Sequence, residues 1–258
     1  MDTISHGSYG TVYRAYDKRT GQIVALKEEF NGLSTSTLRE IAILKSLPQH
    51  PAIVKFIEVV RDDWDRVFIV MEHVENDLAR FMAVRRQPLC PNEVKCMMKL
   101  LEGVKYLHQN GVMHRDLKPS NILINKKGEL KICDFEPPKF LAKVETYSTA
   151  IDMWSLGCIM AELLLKEVLF KGRSNLEQRT NIYTILGRGK PDGNLFIRKF
   201  LAAAAISGAP LLTELGFDLM KKLLEYDPTK RITAEAALNH GWFKELDASS
   251  GLAQGNST

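Results

Sequence analysis

The segment Ile151 to Leu165 is apolar on nearly every side, the pattern expected of a helix buried at the centre of a domain. A helix with almost no polar face has to be surrounded, so the neighbouring sequence must supply other elements to cover it. The 258 residues suffice for one medium domain or two small lobes. With 45% hydrophobic and 26% charged residues, the chain has the composition of an ordinary soluble protein with a real interior. Lysine plus arginine number 35 against 31 acids, and a formal charge of +4 this scattered marks a solvated mixed surface rather than a nucleic-acid face. No stretch approaches the ~18 apolar residues of a membrane span, and Met1 to His6 contain no apolar signal core. Cys90, Cys96, Cys133 and Cys158 form no C-x-x-C pair and have no histidine cluster beside them. They are expected to be reduced thiols of an intracellular protein rather than zinc ligands.

Along the chain the character changes once. Thr11–Ala15 and Ile23–Lys27 read as strands joined by the turn Asp17 to Gly21, and Val67–Met71 reads as another. Between them, Thr37–Leu47 reads as a helix with hydroxyl residues ahead of it to cap it. Beyond Asn76 the pattern turns helical. Val94, Met98, Leu101, Val104 or Lys105, and His108 mark one face of a helix that stops near Gly111. Gly216–Tyr226 and Ala234–Phe243 predict two more, with Asp227-Pro228 between them. The expected organisation is α+β, with a small strand-rich lobe over residues 1–76 and a larger helical lobe over 77–246. The polar tail 247–258 is expected to be disordered.

Several short motifs fall in order along this layout. Gly7-Ser8-Tyr9-Gly10, between Ile4 and Val12, could let backbone amides approach phosphates; a plain hairpin turn is the simpler alternative. Val24-Ala25-Leu26-Lys27 puts a lysine near the end of the next strand, where it contacts a phosphate or is merely exposed. Glu40, on the following helix, could pair with that lysine or with a neighbour on its own helix. The decisive stretch is His114-Arg115-Asp116-Leu117-Lys118-Pro119-Ser120-Asn121, a full match to H-R-D-L-x-x-x-N. Asn125 to Gly128 then turns the chain into a strand that ends at Asp134-Phe135.

With these motifs the chain resembles the eukaryotic protein kinases, and among them the cyclin-dependent kinases, from about residue 4 to residue 243. The resemblance implies the bilobal protein-kinase fold, with Mg-ATP bound between the lobes. It makes Asp116 the group that takes or orients the proton of a substrate hydroxyl, with Lys118 neutralising charge on the transferred phosphoryl group. Asn121 and Asp134 would hold Mg²⁺, while Lys27, kept in place by Glu40, would touch the phosphates. Ile4, Gly7, Gly10, Val12, Ala25 and Leu123 would line the nucleotide. Met71 would be the gatekeeper, and Glu72 to Val74 would face adenine. Ser34 to Glu40 resembles the helix on which the family receives a cyclin, and Ser8 and Tyr9 match its inhibitory phosphorylation pair. Tyr147 to Ile159 resembles the family's central helix, where Asp152 would brace the catalytic loop or cap the helix with Thr149. The implied setting is the nucleus or cytoplasm, with a protein substrate and a possible cyclin as partners, and neither nucleic acid nor membrane.

Departures from the pattern are equally specific. Glu136-Pro137-Pro138 replaces the glycine that follows Asp134-Phe135. Asp134 and Asp152 are only 18 positions apart, roughly 20 residues too few for an activation segment and its A-P-E motif. By resemblance, Arg231 would lose its carboxylate partner, and Arg39 and Arg115 the phosphate they would clamp. The stretch Gly187 to Gly216, with its alanine run, is also short. Three readings follow: a serine/threonine kinase, a pseudokinase that binds nucleotide or a cyclin without catalysis, and an altered-splicing relative of an active enzyme.

Overall fold

The central helix is present and buried. In the computed structural model, α4 (Ala150–Leu165) has Met153, Leu156, Ile159, Met160, Ala161 and Leu163 almost wholly removed from water. The structure describes residues 2–6, 10–29, 34–87, 89, 93–135, 148–187, 193–207 and 212–245. Against α4 pack α7 (Glu214–Leu223) and α6 (Gly193–Ser207); α5 (Asn175–Leu186) packs on α6, and α3 (Lys95–Gln109) on α8 (Ala234–Leu238). Gly157 is what lets α7 approach α4. A Cβ there would sit 2.8 Å from Leu224 Cδ2 and 3.1 Å from Leu223 Cβ, so these leucines would have to shift to admit it.

The small lobe is a five-stranded antiparallel sheet in the order β1 (Asp2–His6), β2 (Gly10–Asp17), β3 (Gln22–Glu29), β5 (Val67–Glu72), β4 (Phe56–Arg61). One helix, α1 (Thr35–Ser46), accompanies it; Ser34 caps the helix by accepting from the Thr37 amide at 3.1 Å. A short sheet of β6 (Asn76–Asp77), β7 (Ile122–Ile124) and β8 (Leu130–Ile132) opens the large lobe, followed in sequence from β6 by α2 (Leu78–Val84). This is the α+β, bilobal arrangement expected.

Two stretches of chain tie the lobes together. One is the segment after β5. The other precedes β4: the Val54 amide donates to Ile132 O at 2.9 Å, and the Ile132 amide donates to Ala52 O at 2.8 Å. These bonds form a parallel bridge between Ile53 and Ile132. Residues that precede a small-lobe strand are thereby hydrogen-bonded to a large-lobe strand.

The helix expected over Ala234–Phe243 is broken. Its first part ends at Leu238, the chain turns at Asn239, and helical backbone resumes at 241–245. The turn lets Trp242 and Phe243 both enter the core.

Candidate active site

Val12, Ala25, Lys27 and Met71 share one face of the small-lobe sheet. Ala25 and Lys27 are two apart on β3, so their side chains leave the same side. Val12 pairs with Lys27 and Met71 with Ala25, and directly opposed residues project together. Ile4 is the extra residue of a bulge between Thr3 and Ser5 in β1, a feature that re-aims side chains locally. Gly10 pairs with Glu29, and a Cβ on it would lie 1.9 Å from Glu28 O. Backbone approach alone therefore demands glycine there, apart from any phosphate. Gly7, Ser8 and Tyr9 lie outside the described residues. Leu123 enters from β7, paired with Asp77 and Lys131.

Glu72 and Val74 lead from the small lobe to the large one. The Glu72 carboxylate accepts from Lys131 Nζ at 2.8 Å and from the Lys55 amide at 2.7 Å. Its own amide donates to Lys55 O at 3.0 Å. The side chain is thus engaged in holding the crossing, and Val74 is buried just beyond it.

The lobes meet at Lys27. Its ammonium donates to both Glu40 oxygens, at 3.1 and 2.8 Å, and to Asp134 Oδ1 at 2.8 Å; Glu29 stands 3.8 Å away. Burial alone would lower the pKa of Lys27, but the Glu40 and Asp134 carboxylates outweigh it and hold the ammonium firmly charged. Burial raises the Glu40 carboxyl, with Lys27 opposing. At Asp134 burial acts in the same sense, but Lys27 wins and the net shift is downward. Asp134 adopts φ 63°, a left-handed conformation that costs a non-glycine residue about 1–2 kcal/mol. The bond to Lys27 accompanies that geometry. One ammonium among three carboxylates leaves an excess of negative charge, suited to a cation arriving with a polyphosphate.

A second group gathers on the loop from His114 to Asn121. Asp116 Oδ2 accepts from Lys118 Nζ at 2.6 Å and from Asn121 Nδ2 at 3.1 Å. Asn121 Nδ2 also donates to Asp116 O at 2.9 Å, which leaves its side-chain carbonyl as the oxygen suited to Mg²⁺. Among the described residues, no group of three His, Cys, Asp or Glu forms a self-sufficient metal cage. A Mg²⁺ held by Asp134 and Asn121 would complete its shell with phosphate and water oxygens, as this hard cation ordinarily does.

His114 joins the two groups. Its Nε2 donates to Cys133 O at 2.9 Å, and its Nδ1 accepts from the Asp116 amide at 3.3 Å. These partners select the neutral tautomer with the proton on Nε2. Burial pushes its pKa down, in the same sense. In the unfolded chain His114 regains an ordinary pKa near ~6.5, so below that value the unfolded state binds a proton the folded state refuses. The contribution of His114 to stability therefore falls as pH drops from 7.5 to 5.5. His50 and His73, also shifted down by burial, contribute to the same slope. Urea midpoints across this range should decline, and His114→Gln should flatten the slope while lowering the midpoint throughout. An unchanged slope would show that the ring is not held neutral.

Asp152, only 1% exposed, fastens the loop that carries Asp116. Its Oδ2 accepts from His108 Nε2 at 2.9 Å and the His114 amide at 2.9 Å; its Oδ1 accepts from the Arg115 amide at 2.8 Å. Arg115 has φ 70°, so the carboxylate fastens the loop at a left-handed residue. The alternative helix-capping role fails, because Thr149 makes no side-chain cap bond.

Among the described residues no carboxylate forms an ion pair with Arg231, as expected, yet the residue is not left without partners. Its guanidinium donates to Ala150 O at 2.6 Å, Glu225 O at 2.8 Å and Tyr226 O at 3.4 Å, and its centre lies 5.0 Å from the Trp154 ring centroid. Neutral carbonyls and a π face replace the acid. Residues 136–147, which include Glu136, Pro137 and Pro138, lie outside the described residues. Sequence reading also missed Glu29, whose Oε2 accepts from Thr37 Oγ1 at 2.8 Å; an acid two residues beyond Lys27 on the same strand face was the available signal.

Comparison with known proteins agrees with this geometry. The protein kinase domain family matches in two pieces, residues 1–141 and 135–243, which overlap over 135–141, just after Asp134. Cyclin-dependent kinase G-1 of Oryza sativa subsp. indica is 46% identical, with 95% of this chain and 42% of the relative covered. Cyclin-dependent kinase G1 of Arabidopsis thaliana is 44% identical over 95% of this chain and 48% of its own length. Cyclin-dependent kinase 11B of Homo sapiens is 40% identical over 95% and 36%. The chain thus spans less than half the length of these three relatives. The first alignment runs to 295 positions, more than the 258 residues here, so the relative carries residues within the matched span that this chain lacks. The chain belongs to the protein kinase family, in its cyclin-dependent branch.

Proposed function

We propose that this chain binds Mg-ATP between its lobes and transfers the γ-phosphate to serine or threonine hydroxyls of a protein. The observation that carries the reading is the meeting of Lys27 and Asp134 at 2.8 Å across the two lobes, with Glu40 behind the lysine. Lys27 would bind phosphate oxygens, and Asp134 with Asn121 would hold Mg²⁺, which when bound supplies charge neutralisation on the phosphates. Asp116 has both described side-chain contacts on Oδ2, so Oδ1 is the oxygen that would receive the substrate hydroxyl proton. Lys118 then stands beside the same carboxylate to meet charge on the moving phosphoryl group. Ile4, Val12, Ala25, Met71 and Leu123 would enclose the base, with Glu72 to Val74 along its edge and Gly7 and Gly10 above the phosphates.

A cyclin-like partner would dock on α1, where Leu38 is half exposed and Arg39 faces solvent. The relatives' names supply that suggestion. Among the described residues no helix is long and apolar enough to cross a membrane.

Nucleotide binding without transfer is the second reading, favoured by the 18-position interval from Asp134 to Asp152 and by the two-piece family match at that point. Binding and transfer are tested apart. Mg-ATP at ~100 Kd should stabilise the protein by about 2.7 kcal/mol. Asp134→Asn should abolish most of that gain at the same nucleotide concentration. No stabilisation of the wild-type chain at millimolar Mg-ATP would remove both readings.

A further inference from the structure

The Lys27–Glu40 pair is not the only link between β3 and α1. Glu29 lies two residues beyond Lys27 on the same strand, and so on the same face. Thr37 lies three residues before Glu40 on the helix, and so on the same side, about one turn away. The Thr37 hydroxyl, in a side chain that is only 3% exposed, donates to Glu29 Oε2 at 2.8 Å. It also shares a 2.7 Å hydrogen bond with the hydroxyl of Ser34, the residue that caps the same helix. Two cross-links thus run side by side from strand to helix. A single ion pair leaves a helix free to turn about it, whereas two contacts one turn apart fix its rotation. The second oxygen of Glu29 faces Lys27 at 3.8 Å, so both links converge on one ammonium.

We propose that Glu29 and Thr37 are positioning residues, a second clasp that holds α1 where Glu40 meets Lys27. The proposal concerns the helix itself; only its nucleotide readout rests on the function proposed above. An acid bonded to a hydroxyl suits the task, because a charged acceptor strengthens the bond while the short threonine side chain leaves little slack. Nothing in the clasp touches the reacting atoms.

Thr37→Val keeps the size and branching of the side chain and removes the donor; Thr37→Ser keeps the donor. Glu29→Gln keeps an acceptor and removes the charge. Amide hydrogen exchange of the full chain should be followed in peptides covering α1, with α4 peptides as internal reference. Exchange in α1 is expected to speed up about tenfold in Thr37→Val, to fall between wild type and that variant in Glu29→Gln, and to return to wild type in Thr37→Ser, with α4 unchanged. Affinity for a fluorescent ATP analogue with Mg²⁺ should weaken several-fold in Thr37→Val and recover in Thr37→Ser. Wild-type exchange in Thr37→Val, or equal loosening in Thr37→Ser, would overturn the clasp. Should Thr37→Val fail to fold, the contrast of Thr37→Ser with Glu29→Gln decides, because equal α1 exchange in those two denies the carboxylate its role. If no variant, wild type included, binds the analogue, the nucleotide reading falls and the exchange data still decide the clasp.

Discussion

Asp116→Asn is expected to lower the rate of the proposed phosphotransfer by about 10²–10⁴-fold while leaving stabilisation by Mg-ATP intact. The asparagine keeps the shape of the side chain and can still accept from Lys118, so the loop around it need not move. What it loses is the carboxylate oxygen proposed to take the hydroxyl proton. The wild-type rate itself should be low. Positioning a substrate is worth ~7–11 kcal/mol in favourable cases. The interval that would carry the substrate platform is short by roughly 20 residues relative to the family pattern. Losing half of that contribution slows transfer by about three to four decades, at ~1.36 kcal/mol per decade. Incorporation of labelled γ-phosphate by wild type and variant, beside thermal shifts for both, measures the two effects separately. Equal incorporation would place the chemistry elsewhere; no incorporation by either, with a full Mg-ATP shift in both, would establish binding without transfer.

Asp152→Asn is expected to destabilise the fold by about 3–5 kcal/mol, a large part of the ~5–15 kcal/mol that holds a domain together. Two carboxylate oxygens here satisfy three donors, His108 Nε2 and the amides of His114 and Arg115. An amide offers one acceptor and turns an N–H toward a group that also donates, leaving buried donors unpaired. Urea denaturation should show a lower midpoint with an unchanged slope. The pH dependence carries a second signature. Burial works against the Asp152 carboxylate, but the His108 ring and the two amides outweigh it and hold its pKa below the ordinary range. Its contribution is therefore complete above the unfolded value of ~3.9 and is lost as pH falls below it. The wild-type protein should lose stability below about pH 4, and the variant should lose less, but not nothing, over that range, because Asp134 and other carboxylates held low still contribute. A loss under ~1 kcal/mol would mean that the loop holds itself without the carboxylate.

What sequence could reveal depended on how local the signal was. Asp116, Lys118 and Asn121 sit within six residues, and the Asp116 carboxylate accepts from both of the others inside that stretch. Lys27 and Glu40 were legible because a strand and the next helix carry them in order. Other elements gave little to read. The helix α5 has no buried residue, so no apolar stripe announced it. The seven residues of α2 follow Asp77, whose side chain caps the helix by accepting from the Arg80 amide at 2.8 Å; that cap falls where the pattern changes from strands to helices, and was masked by it. Arg231 shows the opposite difficulty. A motif names the partner that a residue has elsewhere, and cannot foresee that backbone carbonyls from Ala150, Glu225 and Tyr226 will take its place. The pairing of Glu29 with Thr37 belongs to no motif; it needed the register of β3 against the first turn of α1.

The bridge between Ile53 and Ile132 gives the small lobe two attachments, one on each side of β4 and β5 in sequence. A body hung from one flexible segment can rock in any direction. Hung from two, it resists sideways roll and keeps one easy rotation, about the line that joins them. Entry and exit of a nucleotide would then work like a door on two pins, and stiffening either pin should slow release as much as it slows capture.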